Sequence, residues 1–377
     1  MIACDKALKV AITFNAIELG GAERVLEALV EMYPSADLFC VVHNPRAIPP
    51  ALSGHRITSS FLNFVPGARK FYRYLQFLGP LAAETLDLSP YDLVITSEGS
   101  FTMGVLTRQD ALHVCYCHSP HRALWDQFHQ YRSMLRGPVK WLFTISSHYA
   151  RICNYLAAQR VDCFVANSTY VSARIAKYYR RRSEVIYPPV EVQNGFLAVQ
   201  PQDYYLSAGR LSRKKRLDLL IGACNRLERP LLICGQGEDE KRLRKLAGKT
   251  VRFNGRVPDA ELWNCYAQCR AFLFAADEDF GIAPVEAQAF GRPVIAYGHG
   301  GSLETVRVND PAGRSDTGVY FPEQTVESVA EAILRFEQRE SEFSPEEIRE
   351  HSLQFSKEQF QTRMREALAH ALRGREA

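Results

Sequence analysis

No Cys-x-x-Cys pair occurs among the ten cysteines, and Cys115 with Cys117, like Cys265 with Cys269, lacks the companion ligands a zinc site needs. The thiols therefore read as reduced and buried, as in a cytosolic protein. No uncharged apolar run approaches the roughly 18 residues of a membrane-spanning helix. The opening stretch MIACDKALKVAITF has charges inside its apolar part and no small-residue cleavage site, so it reads as neither signal peptide nor anchor. A net charge of +4 with pI near 8.5 is too small an excess for a dedicated nucleic-acid binder, although basic residues cluster at 177–182 and 213–216. The G-x-G-x-x-G spacing of a dinucleotide fold is missing, which disfavours a dehydrogenase. Neither a low-complexity tract nor a repeat between the two halves is visible.

What is present is a recurring unit. Residues 8–14 (LKVAITF) form a short β-branched run, a glycine-containing loop follows, AERVLEALVEMY has helical spacing, and ADLFCVV begins another strand. Further strands are expected at 93–96, 113–117 and 162–166, with helices around 123–131 and 139–158. Alternation of this kind predicts an α/β fold with a doubly wound parallel sheet. With 377 residues the chain exceeds the roughly 250–300 at which one core stops growing, so two domains are expected. The pattern breaks at Pro188 and Pro189 and restarts with YYLSAGRL, a helix over 215–227, PLLICGQG, a helix near 238–247, VRFNGRV, AFLFAA and PVIAYG. The expected division is residues 1–187, 188–355, and a C-terminal amphipathic helix within 356–377 that packs back toward the first domain.

Open parallel sheets bind ligands beyond the carboxyl ends of their strands, so the loops after strands are where chemistry is expected. In DEDFGIAPVEAQAFGRP (277–293), Glu278 lies in the loop after a strand and Glu286 in the first turn of a helix capped by Gly291. Amides near Ile282, Ala283 and Val285 would then favour an anion. Both acids suit the hydroxyls of one ligand; dipole complementation for Glu286 and a solvated acid for Glu278 are the plainer readings. In SAGRLSRKKRLDLL, Gly209 permits a tight exit from the strand, and Arg210 and Lys215 stand at a helix entrance. Two cations there call for an anion between them, such as a diphosphate, unless the loop is merely solvated. Gly20 and Gly21 open the first helix, as a close approach to phosphate or sugar or as a simple turn. His118 in YCHSP sits just past a strand.

Taken together these segments resemble family 4 of the retaining glycosyltransferases. EDFGIAPVE looks like that family's E-x7-E motif and GRLSRKKR like its donor-phosphate segment, with FVANSTYV, VIYPPV, YCHSP and AYGHGGSLETV following the same pattern. The likeness covers nearly the whole chain. Within the family it looks most like bacterial mannosyltransferases that use GDP-mannose in O-antigen or exopolysaccharide synthesis. The resemblance implies a GT-B fold, two Rossmann-like domains facing each other across a cleft. It also implies roles: Arg210 and Lys215 on the diphosphate, Glu278 on sugar hydroxyls, Glu286 on the ribose, and amides of Gly281, Ile282 and Ala283 on sugar or phosphate. His118 would contact the transferred sugar, and Gly20 with Gly21 would approach donor phosphate and acceptor. Two departures stand out: Arg216 where many members have glycine, and the lack of an arginine-tryptophan-aspartate signature before the first domain's last strand.

The implied reaction moves a sugar from a nucleotide diphosphate to a glycan or lipid-linked saccharide with retained configuration, the leaving phosphate taking the acceptor's proton. No cofactor and no metal are expected, since Arg210 and Lys215 supply the positive charge that a D-x-D-bound ion supplies elsewhere; DED at 277–279 is therefore not read as a metal site. A UDP-sugar donor is the first alternative, and a sugar-nucleotide 2-epimerase, which needs no acceptor, the second. The expected location is the cytoplasm, with peripheral contact to the inner face of the cell membrane through residues 59–88, where Arg69, Lys70 and Arg73 lie among aromatic residues.

Overall fold

The computed structural model describes residues 8–16, 21–43, 52, 54–67, 78–98, 101–198, 200–311 and 313–376. They form two compact units, residues 1–189 with 360–377 and residues 190–359. Each unit holds one parallel sheet.

In the first unit the strands β1 (Val10–Ala16), β2 (Asp37–His43), β3 (Ile57–Ser59), β4 (Leu93–Ser97), β5 (Leu112–Cys117), β6 (Cys163–Ala166) and β7 (Ser183–Val185) lie in the order β3-β2-β1-β4-β5-β6-β7. All neighbours run parallel. Every residue of β4 and β5 is buried, as expected of central strands covered on both faces. Inside this sheet Thr13 and Thr96 share a hydroxyl hydrogen bond of 2.8 Å, and His113 Nε2 lies 2.9 Å from Thr96 Oγ1. In the second unit β8 (Tyr205–Ala208), β9 (Leu231–Cys234), β10 (Val251–Gly255), β11 (Ala271–Phe274), β12 (Val294–Tyr297) and β13 (Gly318–Phe321) follow the order β10-β9-β8-β11-β12-β13, again parallel throughout. In both sheets the direction of winding reverses once, between β1 and β4 and between β8 and β11. Loops leaving those strand pairs diverge and open a crevice at the carboxyl edge.

The last helix, Lys357–Glu376, contributes Phe360, Met364 and Leu368 to the first unit's core, where Phe360 meets the ring of Tyr116 edge-on at 5.6 Å. Seven of the nine described cysteines are buried and all nine are free thiols.

Several expected boundaries move. The helix expected over 123–131 runs Phe128–Ser133, because residues 121–127 are spent in turns in which the His121 and Arg122 carbonyls accept from Leu124, Trp125 and Gln127. The helix expected from Lys215 begins at Leu217: Arg216 turns left-handed with φ 51°, and Lys215 ends a single 3₁₀ turn. That conformation strains any side chain, which gives a physical reason for glycine to be common at this position. Arg216 is held by Asp218 at 3.4 Å and reaches Gln324.

Candidate active site

In the second unit the crevice between β8 and β11 brings Gly209, Arg210, Lys215 and Glu278 together. Gly209 leaves β8 with φ 133°, and a side chain there would project into open space. Arg210 is exposed beside it, and Lys215 comes back beneath from the 3₁₀ turn, so that Gly209, Arg210, Lys215, Phe274 and Ala275 line one small pocket. From β11 the chain runs through Asp277, Glu278 and Asp279 to Gly281, whose φ of 91° precedes the helix Ile282–Ala289. Lys215 Nζ forms an ion pair with Glu278 Oε1, and the ammonium sits 5.8 Å from the centre of the Phe274 ring. Lys215 and Glu278 are thus adjacent although 63 positions apart in the chain.

The loop that carries Glu278 is clamped by a segment to which the sequence reading gave no role. Gly301 N–H donates to the Glu278 carbonyl at 2.9 Å, and a Cβ on Gly301 would lie 2.3 Å from Phe280 Cα. Asp277 Oδ1 lies 3.1 Å from His299 Nδ1. Of the three acids in DED, then, Asp277 faces an imidazole and Glu278 an ammonium. Among the described residues no group of three or more His, Cys, Asp or Glu is arranged to hold a metal ion.

Glu286 stands differently from expectation. The helix starts at Ile282, so Glu286 is its fifth residue and sits past the first turn, where the dipole argument loses force. Its carboxylate accepts from the buried Tyr266 hydroxyl at 3.1 Å. The helix ends as expected: Gly291 (φ 70°) donates to Gln288 O and Arg292 to Ala287 O, the paired bonds of a Schellman cap.

In the first unit, His118 follows β5. Its Nε2 is 3.0 Å from Ser97 Oγ, its ring contacts Tyr116, and burial pushes its pKa down to about 4 against the pull of Glu98. The His118 backbone is pinned as well, since Asn167 donates to its carbonyl at 3.0 Å. Buried Arg174 holds the next two residues, through Ser119 Oγ at 2.8 Å and Pro120 O at 3.3 Å, and pairs with Asp126 at 3.0 Å. Glu98, directly after β4, accepts from Thr102 N at 2.8 Å, Thr102 Oγ1 at 2.5 Å and Asn15 Nδ2 at 3.2 Å. These positioning residues escaped the sequence reading; for Asn167 the signal was its place within FVANSTYV. Gly21 precedes the helix Ala22–Met32 with φ −79°, a conformation open to any residue, and Gly20 lies outside the described residues. Arg69, Lys70 and Arg73 lie outside them too.

Comparison with known proteins bears on the family and the fold. The family described as Glycosyltransferase Family 4 matches residues 19–194, and Glycosyl transferases group 1 matches residues 192–356. The chain belongs to family 4 of the glycosyltransferases. Among curated members, the human alpha-1,3/1,6-mannosyltransferase ALG2 is 26% identical over 257 residues, 57% of this chain and 59% of that protein. The Escherichia coli O-antigen chain mannosyltransferase C is 30% identical over 154 residues, 36% and 42% of the two chains. Each alignment therefore spans well under two thirds of the relative. The solved structure of Anabaena HepE in complex with UDP superposes with a TM-score of 0.69 at 16% identity, over 96% of this chain and 100% of that one. This family 4 chain has their GT-B fold of two Rossmann-like domains.

Proposed function

We infer that this chain transfers a hexose, mannose from GDP-mannose, to a glycan or lipid-linked saccharide acceptor in the building of a bacterial surface polysaccharide, with retained configuration. The observation that carries the reading is the Lys215–Glu278 pair at the point where the second sheet reverses its winding. A nucleotide-sugar donor carries a diphosphate beside a polyol, and this crevice offers two cations beside a carboxylate. A phosphate oxygen arriving at Lys215 replaces Glu278 as its partner, and the released carboxylate takes the sugar hydroxyls. As the glycosidic bond lengthens, negative charge grows on the leaving phosphate. Arg210 and Lys215 then stabilise the transition state more than the ground state. Amides of Gly281, Ile282 and Ala283 add donors to the same anion, Glu286 holds the ribose, and Gly21 lies at the first unit's corresponding helix start. His118, neutral at physiological pH, accepts or donates a hydrogen bond to the transferred sugar.

Mannose is supported by the mannosyltransferase names of the human and Escherichia coli relatives. UDP is the competing base, since the Anabaena neighbour is a UDP complex. Thermal-shift titration with GDP, UDP and ADP, followed by mass analysis of products from the matching sugar nucleotides, tests the assignment. Stabilisation by GDP and a mass gain of one hexose on an acceptor are expected. An isomerised donor with no acceptor product rejects transfer. Activity is expected to be unchanged in excess chelator, because the cations on the phosphate are protein side chains.

A further inference from the structure

The helix Gly137–Arg160 is built the opposite way from an ordinary surface helix. Its buried residues are small or polar: Ser147, Ala150, Asn154, Ala157 and Ala158. Its large apolar residues face outward, with Trp141 65% exposed, Leu142 68%, Ile145 66%, Tyr149 51%, Ile152 48% and Leu156 56%. Positions 142, 145, 149, 152 and 156 alternate in steps of three and four, so they form one stripe about 21 Å long at 1.5 Å per residue. Single exposed apolar residues are ordinary, whereas a continuous stripe marks a binding face.

Charge identifies the occupant. From 127 to 161 there is no aspartate or glutamate, while Arg132, Arg136, Lys140, Arg151 and Arg160 all fall in that interval. Arg160 is answered by Glu84 at 2.8 Å, and Arg151 is turned inward onto the Leu124 carbonyl. The remaining three gather at the helix's N-terminal end. There Arg132 lies 6.0 Å from the Trp141 ring and donates to Thr144 Oγ1, and Arg136 is exposed. A second copy of this chain would bring three more such cations and, within residues 127–161, no acid to answer them. An anionic bilayer surface matches both features, the stripe entering the acyl boundary and the cations meeting headgroups. Trp141 and Tyr149 are residue types suited to that interface. The geometry points to Gly137–Arg160 as a membrane-docking face that lies flat on an anionic leaflet. No described helix is long and apolar enough to cross a bilayer, so contact through this face is peripheral. The inference adds to the transferase reading, and its test measures binding alone, so either fails without the other.

The test is co-sedimentation of the full chain, at physiological salt, with phosphatidylcholine vesicles and with vesicles that also contain phosphatidylglycerol. Three cations at about 1 kcal/mol each predict at least a tenfold preference for the anionic vesicles. A Leu142→Glu/Ile145→Glu variant should lose that binding while keeping the parent's melting temperature, since both side chains are exposed. Trp141 emission should shift blue on vesicles, a change absent from Trp141→Phe. A parent chain that stays in solution with anionic vesicles overturns the inference, as does undiminished binding by the double variant. Light scattering that shows a parent dimer split by the same substitutions assigns the stripe to a second copy instead, and also overturns it.

Discussion

Lys215 is the residue on which the site turns. Its ammonium is paired with Glu278 and packed near Phe274, yet both partners keep roughly a third of their side-chain surface open, so the pair itself adds little to folding. Lys215→Ala is therefore expected to cut kcat/KM by about 10²–10³ while changing unfolding free energy by no more than about 1 kcal/mol. Steady-state kinetics beside chemical denaturation separates the two effects, and a variant that melts early but turns over normally refutes the assignment. His118 gives a second expectation. Because burial holds its pKa near 4, the imidazole stays neutral throughout the physiological range and protonates only as the pH approaches that value. The pH profile of kcat/KM should then lack an inflection near 6.5 that is removed by His118→Asn. Such an inflection would show a solvated, titrating histidine.

At the scale of elements, the strands buried along their whole length were legible because burial on both faces leaves them mostly apolar; β4, β5 and β11 are examples. Two edge strands were not, since Ile57–Ser59 and Ser183–Val185 are three residues long and partly exposed, with no periodicity to detect. The pairing of Lys215 with Glu278 was legible only as two separate post-strand loops; sheet order makes them neighbours, and order is a property of long-range packing. Helix starts failed where a backbone conformation, not a pattern, decides: Arg216 looks like a helical residue and turns left-handed. The clamp of Gly301 on the Glu278 loop was hidden for a related reason, because a glycine chosen for close approach looks in sequence like any turn glycine. Gly301→Ala tests that clamp. Its methyl would lie 2.3 Å from Phe280 Cα, backbone that cannot swing aside as a side chain would. Displacing the loop should cost about 1–3 kcal/mol and raise the donor KM, since Glu278 moves with it. Unchanged donor affinity would show that the loop's position is set elsewhere.

For the molecule as a whole, three histidines with depressed pKa values shape its response to acid: His118 and the fully buried His113 in the first unit, and the half-buried His351 in the second. His113 is fully buried in the first sheet, with Nε2 against Thr96, and the amide of the same residue donates to Asp162 at 2.8 Å. His351 in the second unit lies with Nε2 3.2 Å from Thr305 O, while Nδ1 faces Arg307 at 3.2 Å and Gln354 at 3.0 Å. A proton on that Nδ1 would point at a guanidinium. All three pKa values fall to about 4, mainly through desolvation, with Arg307 adding to the effect at His351. In the unfolded chain each returns to about 6.5. Between those values the unfolded state binds protons that the native state refuses, so stability is complete above pH 6.5 and is lost as the pH falls toward 4. At pH 5 the two pKa values give a loss of about 2 kcal/mol per histidine. For units of this size that is roughly 4–8 °C in melting temperature. His351→Gln keeps an amide donor for Thr305 and removes the titration. Its melting temperature should fall less between pH 7 and pH 5 than the parent's, in a scan that resolves the second unit with its bound nucleotide diphosphate as a marker. An equal fall in both proteins would mean that carboxylate pairs, and not this imidazole, govern acid unfolding.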